Sequence, residues 1–369
     1  FGSEHPMKLL ACRRGWSPTG GAERFLQRFA KGLMEEGVET TLIADGRWPE
    51  NEWAAGEIER VSCTDPQEFA REVMGIKARH PGTCLFSMER LPGADVFRAG
   101  DGLHSAWLDR LAAEDGGLGN WFRRRRKMHR QLLALEDRLF AEPKLRVVAN
   151  SRMVARELME RHGFPESRIT VIPNGYDPLD ISAQEALEKR NALRSSLGIP
   201  ENAVLFLFVG SGWKRKGAQV LVDAFRRMDH PQAWLALVGK GRAKRDGHPR
   251  IHLAGPVRSP LDWFLAADVF ALPTLYDPFS NACLEAAAYG LPVLTTDANG
   301  FAEVLEQNPA AGEVLPVPRD AEAWAAAMTR WMNSDRRDAS KAPLENIRRH
   351  FTIRRNVMAT VDFIRTNFP

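Results

Sequence analysis

The segment Lys8-Leu9-Leu10-Ala11-Cys12 reads as a short buried strand, and a loop from Arg13 to Thr19 carrying Gly15 and Pro18 separates it from Gly20-Gly21. Phe25, Leu26, Phe29, Leu33 and Met34 then recur at helical spacing until Gly37 stops the run, and Thr40 to Ala44 supplies the next strand. Strand, glycine loop, helix and strand in that order form a βαβ unit, which implies a parallel sheet with right-handed crossovers. Further strands are expected at Thr83 to Ser87, Val96 to Ala99, Leu145 to Ala149 and Ile169 to Ile172, alternating with helical segments around residues 65–79, 105–142 and 151–162.

From Pro173 to Pro200 the rhythm breaks: Pro173, Gly175, Pro178 and Pro200 surround one polar helix, as suits an interdomain linker. A second series of strands follows at Ala203 to Val209, Ala233 to Val238, Arg250 to Ala254, Val269 to Leu272 and Pro292 to Thr295. The fold class expected is therefore α/β, with two Rossmann-like doubly wound parallel-sheet domains in succession. The last helical stretch, Arg354 to Thr366, has no strand after it and is expected to cross back to the first domain. The domains are set at residues 7–175, completed by helix 354–369, and at residues 176–353. Residues 1–6, ahead of Met7, read as an expression scar.

A chain of 369 residues, 44% hydrophobic and 27% charged, agrees with two globular units and excludes fibrous or disordered classes. Cys12, Cys63, Cys84 and Cys283 show no C-x-x-C spacing, so neither a zinc cage nor a disulfide framework is expected, and a cytoplasmic setting fits best. The longest apolar stretches have strand length, far short of the roughly 20 residues that span a bilayer, and no secretory signal is expected. The net charge of +4 is modest but uneven: Arg123, Arg124, Arg125, Arg126 and Lys127 follow Trp121-Phe122, and Lys214-Arg215-Lys216 form a second cluster. A solvated helix face or an anionic partner such as a membrane surface accounts for the first.

In open α/β sheets ligands sit beyond the carboxyl ends of the strands, so three loops carry the functional search. The first, Pro18-Thr19-Gly20-Gly21-Ala22-Glu23, opens a helix whose amides and dipole favour a phosphate, and it departs from the dinucleotide G-x-G-x-x-G pattern. In the second, Val209-Gly210-Ser211-Gly212-Trp213-Lys214-Arg215-Lys216-Gly217, cations can face a diphosphate, while Ala218-Gln219 stand where a P-loop needs Lys and Ser or Thr. The third runs from Leu272 to Ala286. Asp277 lies in this loop, and Glu285, eight positions on, lies inside the following helix, where an acid can grip ribose hydroxyls while the helix N-terminus faces phosphates.

The Asp277-x7-Glu285 arrangement resembles the E-x7-E signature of glycosyltransferase family 4, and the second loop resembles that family's G-R-L-x-x-x-K-G loop. Supporting matches are Pro173-Asn174-Gly175-Tyr176-Asp177, Val238-Gly239-Lys240-Gly241 and Ala266-Ala267-Asp268 through Pro273. The similarity runs from Met7 to the C-terminus and is closest to the lipopolysaccharide core glucosyltransferase I branch. It departs from the pattern where Asp277 replaces the first Glu and Ser211 replaces the Arg, so Arg215 beside Lys216 is expected to supply the guanidinium.

The resemblance implies the GT-B architecture, two Rossmann-like domains facing a cleft, and a retaining glycosyl transfer from a nucleotide diphosphate sugar. It assigns Asp277 to the donor sugar, Glu285 to the ribose, and Lys216 and Arg215 to the diphosphate. Gly20, Gly21, Gly210 and Ser211 join the diphosphate contacts, Phe279, Ser280, Asn281 and Ala282 form the donor-facing helix start, and Pro256 and Val257 contact the base. Asp101 resembles the first-domain acid of that branch, with His104 as a second candidate for that wall. UDP-glucose is the expected donor, ahead of UDP-N-acetylglucosamine, UDP-galactose and GDP-mannose, and the acceptor is a lipopolysaccharide-core or other lipid-linked glycan. No D-x-D and no helical His-x-x-x-His occurs in the chain, so no metal or other cofactor is expected. A nicotinamide dehydrogenase lacks the fingerprint and leaves the Asp277 and Glu285 pair unexplained, and a nucleic-acid-binding protein leaves both phosphate loops unexplained, whereas a sugar-nucleotide epimerase on the same scaffold stays open as the alternative that product analysis discriminates.

Overall fold

The computed structural model describes residues 7–17, 21–53, 55–63, 65–115, 126–243, 247–317 and 319–368. The chain forms two compact units, one running to Gly175 and resuming at Ile353, the other running from Tyr176 to Thr352.

Unit 1 is a seven-stranded parallel sheet. Its strands are β1 (Lys8–Cys12), β2 (Glu39–Asp45), β3 (Ile58–Val61), β4 (Cys84–Ser87), β5 (Val96–Arg98), β6 (Arg146–Ala149) and β7 (Ile169–Val171), in the order β3-β2-β1-β4-β5-β6-β7. Its helices are α1 (Gly21–Glu35), α2 (Pro66–Arg79), α3 (His104–Asp115), α4 (Lys127–Phe140) and α5 (Arg152–His162). The expected single helical segment 105–142 is thus described as two helices. Alternation along β1 fills both faces of the sheet: Leu9 and Ala11 enter one core with Phe25, Phe29 and Leu33 of α1, while Leu10 and Cys12 enter another with Phe69, Val73 and Ile76 of α2. The last helix, Ile353–Asn367, packs on α1 and adds Val357, Val361 and Ile364 to the first of these cores.

Unit 2 repeats the plan. Strands β8 (Val204–Val209), β9 (Ala233–Val238), β10 (Ile251–Gly255), β11 (Val269–Leu272), β12 (Val293–Thr296) and β13 (Gly312–Leu315) lie in the order β10-β9-β8-β11-β12-β13, all parallel. Around them stand α6 (Ala183–Ser196), α7 (Trp213–Lys216), α8 (Ala218–Met228), α9 (Leu261–Ala266), α10 (Asn281–Ala288), α11 (Ala302–Gln307), α12 (Ala321–Arg330) and α13 (Ser334–His350). The direction of strand succession reverses between β1 and β4 in unit 1 and between β8 and β11 in unit 2. Such switch points leave a crevice at the carboxyl ends of two strands whose following loops run to opposite sides. Among the described residues no helix is long and apolar enough to cross a membrane.

Candidate active site

The switch point of unit 2 brings together the second and third loops. After β8, Gly210 donates its N–H to the Val238 carbonyl at 2.9 Å and Gly212 donates to the Lys240 carbonyl at 3.1 Å, so the end of β9 shapes the loop. Ser211 is exposed and Trp213 is buried, its indole N–H donating to the Gly210 carbonyl at 2.9 Å. This geometry turns the short helix α7 so that Arg215 and Lys216 meet the loop after β11. The Leu275 N–H donates to the Arg215 carbonyl at 2.8 Å, Arg215 Nη1 donates to the Tyr276 carbonyl at 2.6 Å, and Lys216 Nζ donates to Asp277 Oδ2 at 3.1 Å. Arg215 Nη1 also stands 3.8 Å from the same carboxylate oxygen. Arg215, expected to supply the phosphate-binding guanidinium, also clamps the two loops together.

Asp277 is 7% exposed and Glu285 equally so. The Asp277 N–H donates to the Ala298 carbonyl at 3.0 Å and its own carbonyl accepts from the Gly300 N–H at 3.0 Å, which holds the loop against the chain after β12. Asn299 locks the start of α10: its side-chain oxygen accepts from the Ser280 and Phe301 N–H groups at 3.1 Å each. Ser280 caps the helix by accepting from the Cys283 N–H at 3.3 Å, and Phe279 packs edge-on to Phe301 with centroids 5.7 Å apart. Asn281 and Ala282 form the first turn, half-buried, and Glu285 follows one turn in. Burial pushes the Cys283 thiol up to about 12, so this cysteine is a neutral packing group that accepts from Asn299 Nδ2 at 3.4 Å. Pro256, exposed, and Val257, half-buried, follow β10. Arg319 had no signal in the sequence, yet its Nη1 ties the Arg215 carbonyl at 3.2 Å to the Pro273 carbonyl at 3.0 Å. Asn299 was equally silent, since a lone Asn or Arg in a loop has no spacing to betray it.

In unit 1 Asp101 follows β5, about half exposed, and accepts from Arg13 Nη1 at 2.8 Å. Arg98 is buried beneath it, over the Phe25 ring at 4.0 Å and donating to Asn174 at 2.6 Å. Burial brings this guanidinium down to about 10, which leaves it cationic at neutral pH. His104 does not form a wall as expected. It is buried at the start of α3, its backbone N–H held by Glu136 at 2.6 Å and its ring nitrogen 3.0 Å from His129. Gly21 begins α1, whereas Gly20 lies outside the described residues, as do Trp121, Phe122, Arg123, Arg124 and Arg125; Arg126 and Lys127 are exposed at the start of α4. Among the described residues no group of three or more His, Cys, Asp or Glu is placed to hold a metal ion.

Two Rossmann-type units, one with a lysine–carboxylate pair at its switch point and an acid on the next helix, define the GT-B class of glycosyltransferase. Residues 203–334 match the family described as Glycosyl transferases group 1, and residues 19–178 match Glycosyltransferase Family 4. The chain belongs to these family 4 glycosyltransferases. It is 23% identical to the lipopolysaccharide glucosyltransferase WaaG of Escherichia coli K12, covering 81% of this chain and 83% of that protein. It is 32% identical to a D-inositol 3-phosphate glycosyltransferase of Xylanimonas cellulosilytica over 53% of this chain and 50% of that one. The chain spans about half the length of the first curated relatives it matches. Its fold is similar to the crystal structure of WaaG, with a TM-score of 0.76 at 21% identity over 96% of this chain and 99% of that one. It is similar also to Anabaena HepE solved with UDP-glucose, with a TM-score of 0.68 at 20% identity over 97% and 100% of the two chains.

Proposed function

We propose that the chain transfers a hexose from a nucleotide diphosphate sugar, UDP-glucose first, to a glycan acceptor with retention at the anomeric carbon and without a metal. The observation that carries this reading is the Lys216–Asp277 pair, 3.1 Å apart at the switch point and directly ahead of the helix that bears Glu285. Breaking a sugar–phosphate bond places negative charge on the departing diphosphate and positive charge on the sugar. Donors fixed in advance stabilise the first and a fixed carboxylate the second, without reorganising at the moment of reaction. One of the three N–H donors of Lys216 goes to Asp277, and the ammonium has capacity left for phosphate oxygens. Asp277 stands where it can oppose charge developing on the sugar, and Glu285 holds the ribose. The cations do the work that a divalent ion performs in D-x-D enzymes. Gly210 and Ser211, with the first turn of α10 from Phe279 to Ala282, line the diphosphate, and Pro256 and Val257 meet the base through backbone groups. Asp101 accepts a hydrogen bond from a sugar hydroxyl.

Likeness to WaaG supports a lipopolysaccharide core or another lipid-linked glycan as acceptor, at the cytoplasmic face of a membrane. The basic stretch Trp121 to Lys127 supplies the attraction to anionic lipid, each cation contributing roughly 1 kcal/mol. UDP-glucose should raise the melting temperature more than UDP-N-acetylglucosamine, UDP-galactose or GDP-mannose, because a ligand stabilises the state it binds. UDP release with deglucosylated lipopolysaccharide core as acceptor should survive EDTA. Activity abolished by EDTA and restored by Mg²⁺ or Mn²⁺ overturns the metal-independent mechanism, and a panel in which no nucleotide sugar shifts the melt overturns the reading itself.

A further inference from the structure

Arg13 leaves the end of β1, at the switch point of unit 1, and gathers three carboxylates, one from the first turn of a helix and two from loops after strands. Its Nη1 donates to Asp101 Oδ2 at 2.8 Å and stands 3.6 Å from Glu89 Oε1, and its Nη2 donates to Glu23 Oε1 at 3.3 Å. Glu23 opens α1, Glu89 follows β4 and Asp101 follows β5, so one guanidinium ties together the elements on both sides of the crevice. The three acids are not equivalent. Side-chain exposure is 10% for Glu23, 21% for Glu89 and 51% for Asp101, against 14% for Arg13 itself. A purely structural ion pair needs one carboxylate. Here a buried acid, Glu23, and a half-buried one, Glu89, hold the guanidinium and aim it at a third that faces solvent.

We propose that Arg13 is the positioning residue for Asp101, fixing that carboxylate toward solvent as the hydrogen-bond acceptor for a hydroxyl of a neutral sugar. The inference rests on the assignment of Asp101 to a sugar hydroxyl in the preceding subsection. Glu23 and Glu89 lock the guanidinium, and the Arg14 N–H, 3.2 Å from Glu89 Oε1, keeps that acid turned inward. Burial opposes the charge on Arg13, but Asp101, Glu89 and Glu23 together outweigh it and raise its pKa. Other charges near the cluster are Arg98, which feels Asp101, Arg47, which feels Glu89 but is bound chiefly to Asp45, and Arg14 and Arg90, which line one pocket with Glu89, Arg90 being paired with Glu136. Arg13 is the guanidinium that joins all three acids.

Without Arg13 the three carboxylates lose the one guanidinium that contacts all of them, and like charges at short range favour protonation of the outermost. Transfer from UDP-glucose to deglucosylated lipopolysaccharide core, measured across pH 5–9 for Asp101→Asn, Arg13→Gln and Arg13→Lys, tests this. Asp101→Asn should lower kcat/KM for the acceptor by roughly ten- to a hundredfold, the worth of a lost charge-assisted hydrogen bond. Arg13→Gln should do the same while moving the acidic limb of the profile to higher pH, and Arg13→Lys should restore the limb and part of the rate. UDP affinity by calorimetry should stay within about twofold in all three. Where Arg13→Gln fails to fold, Arg13→Lys alone decides: a wild-type rate from it, without the fork, overturns the inference. Full activity in Asp101→Asn sinks the underlying assignment. A loss in Asp101→Asn beside an unmoved rate and profile in Arg13→Gln sinks the positioning role alone.

Discussion

Lys216 and Asp277 share one hydrogen bond of 3.1 Å, while Glu285 sits apart on the next helix, so the two acids should fail differently when neutralised. Glu285→Gln removes a ground-state grip on ribose and should chiefly raise the KM for donor and weaken UDP binding by about ten- to a hundredfold, or roughly 1.5–3 kcal/mol. Asp277→Asn removes negative charge where positive charge develops and should lower kcat while UDP affinity is kept. Calorimetry with UDP and steady-state transfer kinetics on both variants separate the roles, and the opposite split would reverse them. A second residue-level expectation concerns Gly239, whose φ of 124° and close approach to the β8 loop suit only glycine: a Cβ there would meet the Gly210 carbonyl oxygen at 2.1 Å. Gly239→Ala should cost about 1–3 kcal/mol and weaken UDP binding with it, because relief requires moving the loop that carries Lys216. A melt and a UDP titration both indistinguishable from wild type would remove Gly239 from the site's support.

Between elements, buried charge does the joining. Arg194 of α6 is buried and reaches the Ala203 carbonyl at 2.6 Å, the Ala266 carbonyl at 3.0 Å and Asp268 at 3.1 Å, while Asp268 accepts from the Leu205 N–H at 2.7 Å. The Ala-Ala-Asp run that resembles the family thus ties α6 to β8 and β11 and does no chemistry. In unit 1, Glu136 of α4 is fully buried and accepts from Arg90 at 2.9 Å and from the backbone N–H groups of His104 and Ser105 at 2.6 and 3.0 Å. Burial alone would raise its carboxyl, but His162, Arg90 and those donors outweigh it and hold it well below the usual carboxylate range. A carboxylate depressed in the folded state stabilises fully above its unfolded pKa of roughly 4.3, and the benefit fades as pH falls below that value toward the folded one. Glu136→Gln should therefore destabilise unit 1 by about 3–5 kcal/mol at pH 7 and by clearly less at pH 3, read by hydrogen exchange in α3 and α4. A deficit equal at both pH values would deny the carboxylate this role.

The same elements mark where the sequence was readable. Central strands such as Val204–Val209, buried on both faces, announce themselves as apolar runs. Of the four edge strands, Ile169–Val171 and Ile251–Gly255 are legible, whereas Ile58–Val61 and Gly312–Leu315 are not, each being four residues long with charged or small residues, Glu59-Arg60 and Gly312-Glu313, in place of an apolar run. The pairing of Arg215, Lys216 and Asp277 follows from loops with a recognisable spacing, whereas the ties made by Arg13, Glu136, Asn299 and Arg319 join residues whose neighbours in sequence carry no pattern.

At the scale of the whole molecule, the chain leaves unit 1 at Gly175 and returns to it at Ile353. The returning helix is a structural part of unit 1: Ile353, Val357, Val361, Phe363 and Ile364 are all buried. It lies so close to α1 that a Cβ on Gly32 would meet Val357 Cγ2 at 2.6 Å, and Asn356 donates to the Pro173 carbonyl at 2.5 Å, fastening the helix to the end of the first segment. Burying each such apolar side chain stabilises by about 1.5–3 kcal/mol, an upper estimate, and five of them match the roughly 5–15 kcal/mol by which a whole domain is stable. A chain ending at Thr352 should therefore lose unit 1 while unit 2, whose core draws nothing from this helix, keeps its fold. Limited proteolysis should digest residues before Tyr176 and spare a fragment of unit 2, and Val357→Asp in the full chain should reproduce the pattern. Equal protease resistance of both units in the truncated chain would show that unit 1 closes its core without the returning helix.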